Sequence, residues 1–140
     1  MNAGEEKDGQ KTELKPLIES DYIFIEIHES EIPWLKVFSK KPHKEFSQCS
    51  SEEKRAIFDA LDTIEKMMLE YYRPEKINIA SFGNMLPHLH WHIMARFKED
   101  SYFPEPMWGA KQREASLQLP SFDNFLELLR GRLKEPSGLV

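Results

Sequence analysis

The chain has 140 residues, 24 acidic against 19 basic side chains, and a formal charge of −5. That balance argues against a general nucleic-acid binder, which would carry a basic stripe. No apolar run approaches the roughly 18 residues that a membrane span needs. One cysteine, Cys49, excludes an internal disulfide and fits a reducing cytoplasm. With 40% apolar and 31% charged residues, the composition is that of a soluble globular protein with one moderate core.

In chain order, residues 1–13 are polar and aperiodic and read as a disordered tail. They lack the basic and apolar regions of a secretory signal, so a cytoplasmic protein is expected. Residues 14–135 read as one domain and 136–140 as a short tail. Tyr22 to His28 alternates Ile23, Ile25 and Ile27 against Tyr22, Phe24, Glu26 and His28, a strand pattern. After a turn over Glu29–Pro33, Trp34 to Ser39 returns as a second strand.

Ser50-x-x-Glu53 is a capping box that opens a long helix. Its apolar stripe is Ile57, Leu61, Ile64, Met68 and Tyr71, and Pro74 stops it. Cys49 lies beside the helix start, a place that can lower a thiol pKa. Ile77 to Ser81 is a short strand, and a turn through Gly83 leads to the next. Residues 101–116 form a long loop. Ser121 caps a final helix with Phe122, Phe125, Leu126, Leu129 and Leu133 on its apolar face, ending before Pro136. Two strands, a helix, further strands and a helix make an α+β domain, an antiparallel sheet covered by helices.

The candidate chemistry lies in His88-Leu89-His90-Trp91-His92, which holds three of the five histidines. Spacing two is the period of a strand, so the imidazoles share one face and Leu89, Trp91 and Ile93 take the other. Histidine attacks and moves protons near neutral pH. Zinc is the competing use. His88 and His92, four residues apart, are separated by about 14 Å along a strand, too far for one ion to collect all three rings. Two could ligate with help from elsewhere, so a zinc-dependent hydrolase stays open. Lys36, Lys40, Lys41, Arg96, Lys98, Lys111 and Arg113 flank these elements, and several read as solvated surface charges.

The pattern His88 to Met94, with Gly83-Asn84 before it and Pro104-x-Pro106-x-Trp108 after it, resembles the histidine triad superfamily of nucleotide hydrolases and transferases, in a small bacterial branch. Pro33 to Phe38 and Lys40-Lys41-Pro42-His43 resemble the strand and basic turn before that family's central helix. The resemblance implies a five-stranded antiparallel sheet with a long central helix and a C-terminal helix, commonly paired as a homodimer. It implies His90 as the nucleophile at an α-phosphorus, His92 on the phosphate oxygens and leaving group, and His88 as an orienting residue. Asn84 and the backbone at Met85 are placed near the phosphates, Asn78 near the ribose or phosphate, and Trp108 either at the pocket wall or in the core.

The departures are specific. Met85 stands where many members carry a small hydroxyl residue that serves the leaving group. The position of an upstream histidine falls at Trp34 and Leu35, which are apolar, while His43 either substitutes in part or lies on the surface. Ser39 stands where proline is frequent. His92 is retained where the uridylyl-transferring branch has glutamine, favouring hydrolysis. The expectation is a metal-independent hydrolase of nucleotide phosphoanhydrides or phosphoramidates, working through a covalent nucleotidyl-histidine. Magnesium would enter only with a polyphosphate substrate; no nucleic-acid or membrane partner is expected. The alternative from another class is a nucleotide-binding regulatory module with little turnover.

Overall fold

Leu35 and Val37 on one strand and Ile93 on its neighbour are fully buried, and their contact sets the centre of the molecule. The computed structural model describes residues 16–133, so expectations for residues 1–13 and 136–140 lie outside it. Five strands form one antiparallel sheet: β1 (Ile18–Glu19), β2 (Ile23–Ile27), β3 (Trp34–Ser39), β4 (Lys76–Ala80) and β5 (His90–Arg96), in the order β1-β2-β3-β5-β4. The central register pairs Leu35 with Ile93 and Val37 with Trp91 on one face. Phe38 with His90, Lys36 with His92 and Trp34 with Met94 take the other.

The first face is covered by helix α1 (Ser51–Tyr72). The expected capping box forms: Glu53 N–H donates to Ser50 Oγ at 3.1 Å, and Ser50 N–H donates to Glu53 Oε1 at 2.6 Å. Ile57, Leu61, Ile64 and Met68 are buried as their spacing predicts, each stabilising by roughly 1.5–3 kcal/mol. Tyr71 is half-buried; its neighbour Tyr72 takes the inward position. The helix ends at Arg73, which adopts φ 50° in the left-handed region just before Pro74. Helix α2 (Phe122–Leu133) packs against α1 through Phe125, Leu126, Leu129 and Leu133, and Ser121 Oγ caps it from Asn124 N–H at 3.0 Å.

The sheet is thus the expected α+β arrangement, with three differences in detail. The ladder of β5 begins at His90, so His88 precedes it. Ile27, at the end of β2, is 38% exposed although its alternation places it with Ile23 and Ile25. The two-residue β1 and a 3-10 turn at Phe46–Gln48 are too short for periodicity to reveal. Residues 97–121 form an irregular connection that returns over the uncovered face.

Candidate active site

Antiparallel pairing of β3 and β5 sets His90 and His92 side by side, with ring centroids 5.0 Å apart. His88 joins them from the preceding loop: its ring stands edge-on to Phe38 at 5.2 Å, while Phe38 stacks on His90 at 4.8 Å. All three imidazoles therefore share the face opposite α1.

Two of the rings are oriented by main-chain carbonyls and the third by an indole N–H. His90 Nδ1–H donates to the His88 carbonyl at 2.7 Å. A carbonyl only accepts, so in the neutral ring the lone pair falls on Nε2, as a nucleophile requires. His92 has the opposite tautomer. Trp34 Nε1–H, a donor only, reaches His92 Nδ1 at 3.0 Å, so the ring proton sits on Nε2. Burial pushes the His92 pKa down to about 3, with His90, His28 and Lys36 adding to the effect. His88 Nε2–H donates to the Ser39 carbonyl at 2.7 Å. With His90 in its neutral form, an acceptor nitrogen thus stands beside the N–H of His92.

His90 and His92 open into a cavity of about 530 Å³, within the usual range of small-molecule sites. One wall is aromatic: His28 stacks on Trp34 at 3.9 Å, and Trp108 meets His92 at 4.9 Å, Trp34 at 5.3 Å and Phe82 at 4.8 Å. The opposite rim is Gly83, Asn84, Met85 and Leu86, where Gly83 turns the chain at φ 71°. Of the residues the sequence nominated, His90, His92, Asn84, Met85 and Trp108 line the cavity. Trp108 is 49% exposed, a wall rather than core. His88 stands against Phe24 and Phe38 and does not line the cavity, and neither does Asn78, whose Oδ1 accepts from Arg96 Nη1 at 2.8 Å.

Three residues had no legible role. Trp34 stands where an apolar position was expected, yet its indole N–H fixes His92. Lys36, grouped with the surface charges, is 8% exposed and lines the cavity. Arg96, also grouped there, is 1% exposed: it pairs with Asp100 at 3.0 and 3.1 Å and donates to the Glu105 carbonyl at 2.7 Å. Burial pushes the Asp100 carboxyl up, but Arg96 and the amides of Phe97, Tyr102 and Phe103 outweigh it and hold the carboxyl below its usual range. This buried ion pair ties the connection that carries Trp108 to the end of β5. The only sequence signal was the pair itself, Arg96 and Asp100 four residues apart.

Among the described residues, His43, Cys49 and Glu53 form one group whose donor atoms lie within 4.8 Å of one another, and no such group includes a triad histidine. A His-Cys-Glu set has the chemistry of a zinc site, but Glu53 is engaged by the helix cap and by His43 Nε2 at 3.0 and 3.1 Å. Its carboxyl is held down chiefly by the Ser50 amide, against its own burial, with His43 helping. Burial and the Glu53 charge raise the Cys49 thiol, opposite to the expectation for a helix start. His43 is half-buried and hydrogen-bonded to Glu53 rather than a free surface group.

Comparison with known proteins places this geometry. No curated protein matches the chain. Among solved structures, a histidine triad protein from Bradyrhizobium japonicum superposes with a TM-score of 0.71 at 23% identity, covering 88% of this chain and 92% of that one. A histidine triad protein from Sinorhizobium meliloti gives 0.67 at 20%, covering 90% and 92%. A diadenosine triphosphate hydrolase from Plasmodium falciparum gives 0.55 at 15%, covering 86% and 77%. At these identities the structures share the fold. The HIT domain family matches residues 18–99, from β1 through the triad strand and past its end. With that match over more than half its length, the chain belongs to the histidine triad (HIT) family.

Proposed function

We propose that the chain is a metal-independent hydrolase of nucleotide phosphoanhydrides or phosphoramidates that works through a covalent nucleotidyl-histidine. The observation that carries this reading is the opposite tautomers of His90 and His92, adjacent in one cavity. His90 Nε2 attacks the α-phosphorus, forming a P–N bond as the bond to the leaving group breaks. His92 Nε2–H donates a hydrogen bond to a phosphoryl oxygen, where negative charge builds. Water then attacks the same phosphorus as the P–N bond breaks, its proton passing to solvent; the nucleoside monophosphate leaves and His90 Nε2 regains its lone pair. The nucleobase stacks against the aromatic wall that includes Trp108, and Asn84 offers a polar group at the opposite rim. The family membership and the shared fold with a diadenosine triphosphate hydrolase support the substrate class.

The test is intact mass spectrometry after brief mixing with diadenosine tetraphosphate or adenosine 5′-phosphoramidate. Wild type is expected to gain the mass of one adenylate, and His90→Ala to gain none while losing turnover by on the order of 1,000-fold or more. An adduct of the same yield in His90→Ala overturns the assignment. One observation favours a second reading, a binding module: Met85, 64% exposed at the rim, offers no hydroxyl to a leaving group. Mononucleotide binding with neither adduct nor turnover would establish that reading instead.

A further inference from the structure

Lys36 is 8% exposed and lies opposite His92 in the β3–β5 register. Its ammonium stands 5.7 Å from the centroid of the Phe38 ring, and no described residue gives it a hydrogen bond or an ion pair. Glu26 is its register neighbour on β2 but forms no ion pair with it. Lys36 also lines the cavity, where among the described residues it is the only lysine or arginine and no acidic side chain joins it. Its stem is mostly buried while its ammonium lacks an anion; such a group is costly, and a ligand in the cavity would supply the missing charge.

Two residues of the cavity bear on the supply of a proton to a leaving group. Met85 has none to give. His92 accepts at Nδ1 from a group that can only donate, so the ring is held neutral and its remaining N–H is a hydrogen-bond donor rather than an acid. An amine needs a proton to depart; a phosphate departs as an anion.

We propose that Lys36 is the specificity residue of this cavity and that it selects a substrate whose leaving group is an anionic phosphate, a nucleoside polyphosphate or dinucleoside polyphosphate, over a phosphoramidate whose leaving group is a neutral amine. The inference rests on the cavity being a nucleotide site and narrows its substrate class. In the reaction the bond from the α-phosphorus to the bridging oxygen breaks as the bond to His90 Nε2 forms. The electron pair stays with the departing phosphate, whose charge Lys36 takes up.

The experiment compares wild type, Lys36→Met and Lys36→Arg. Lys36→Met keeps the length and apolar stem while removing the charge. With diadenosine tetraphosphate, kcat/KM is expected to fall by on the order of 100-fold, and the ratio of that value to the value for adenosine 5′-phosphoramidate by about tenfold or more. Lys36→Arg recovers part of the loss. Equal falls on the two substrates overturn the proposal. Calorimetric titration with ADP and AMP reads the same lysine without turnover. Wild type is expected to prefer ADP by roughly tenfold, and Lys36→Met to lose that preference. No preference in wild type overturns the proposal whatever the kinetics show. If wild type turns over neither substrate yet prefers ADP, the hydrolase reading fails while the phosphate assignment stands. Thermal unfolding separates a structural role: the Tm of Lys36→Met should hold or rise, as for a group kept at a cost to stability. A fall of several degrees would make Lys36 a structural residue.

Discussion

The two faces of this sheet are built on different principles. The face against α1 presents Ile25, Leu35, Val37 and Ile93, all fully buried and all apolar. The other presents Trp34, Lys36, Phe38, His90 and His92, each at 8% exposure or less, yet four of the five carry a polar or charged group. Equal burial thus serves opposite ends. On the helix face it removes apolar surface from water and stabilises the fold. On the site face it strips water from groups whose partners are few and specific, which stores reactivity at some cost in stability.

The comparison is sharpest where one substitution separates the two quantities. Ile93→Ala should cost about 2–5 kcal/mol in chemical denaturation, because it leaves a cavity among fully packed neighbours. Turnover per folded molecule should stay within about threefold; a large kinetic defect in a normally folded variant would break the division of labour.

A smaller effect is expected from acid. His92 titrates near 6.5 in the unfolded chain but is held down to about 3 in the fold. Between those values the unfolded chain binds a proton that the fold refuses, so stability falls as pH drops through that window, by about 1.4 kcal/mol per pH unit. From pH 7 to pH 5 the loss from this ring is about 2 kcal/mol. Denaturation of wild type against His92→Asn at both values isolates it, and parallel pH dependence in the two would remove His92 as the cause.

The smallest effect is Trp34→Phe, which deletes one hydrogen bond and should cost about 1 kcal/mol of stability. Its signature is kinetic. Without the indole N–H, His92 is free to exchange tautomers and to protonate, so the acidic limb of the rate profile should move to higher pH. An unmoved limb would show that burial alone keeps the ring neutral.

The helix face was legible because its information is local and periodic. β3 matches its expected bounds at Trp34–Ser39, the capping box at Ser50 and Glu53 forms as written, and the strand period placed His90 and His92 on one face, with His88 joining from the loop before the strand. The site face was legible only in its histidines. Trp-Leu-Lys-Val-Phe-Ser reads as a strand with a solvated lysine, since nothing in its own period says that residues 81–87 and 97–113 fold over it. Arg96 was hidden for the same reason: its burial comes from a connection with no periodicity, held by the acceptors of Asn78, Asp100 and Glu105.

One hydrogen bond reaches further than its 2.7 Å. The acceptor that fixes the His90 ring is the carbonyl of His88, a main-chain atom two residues earlier. Every amino acid at that position supplies the same oxygen, so drift in sequence can erase the first histidine of the triad without taking away the second one's acceptor. His92 depends instead on an indole that one substitution can remove. The His90 tautomer is inherited with the path of the chain, while that of His92 has to be maintained by selection, and variation among descendants of this chain should gather on the Trp34 side of the pair.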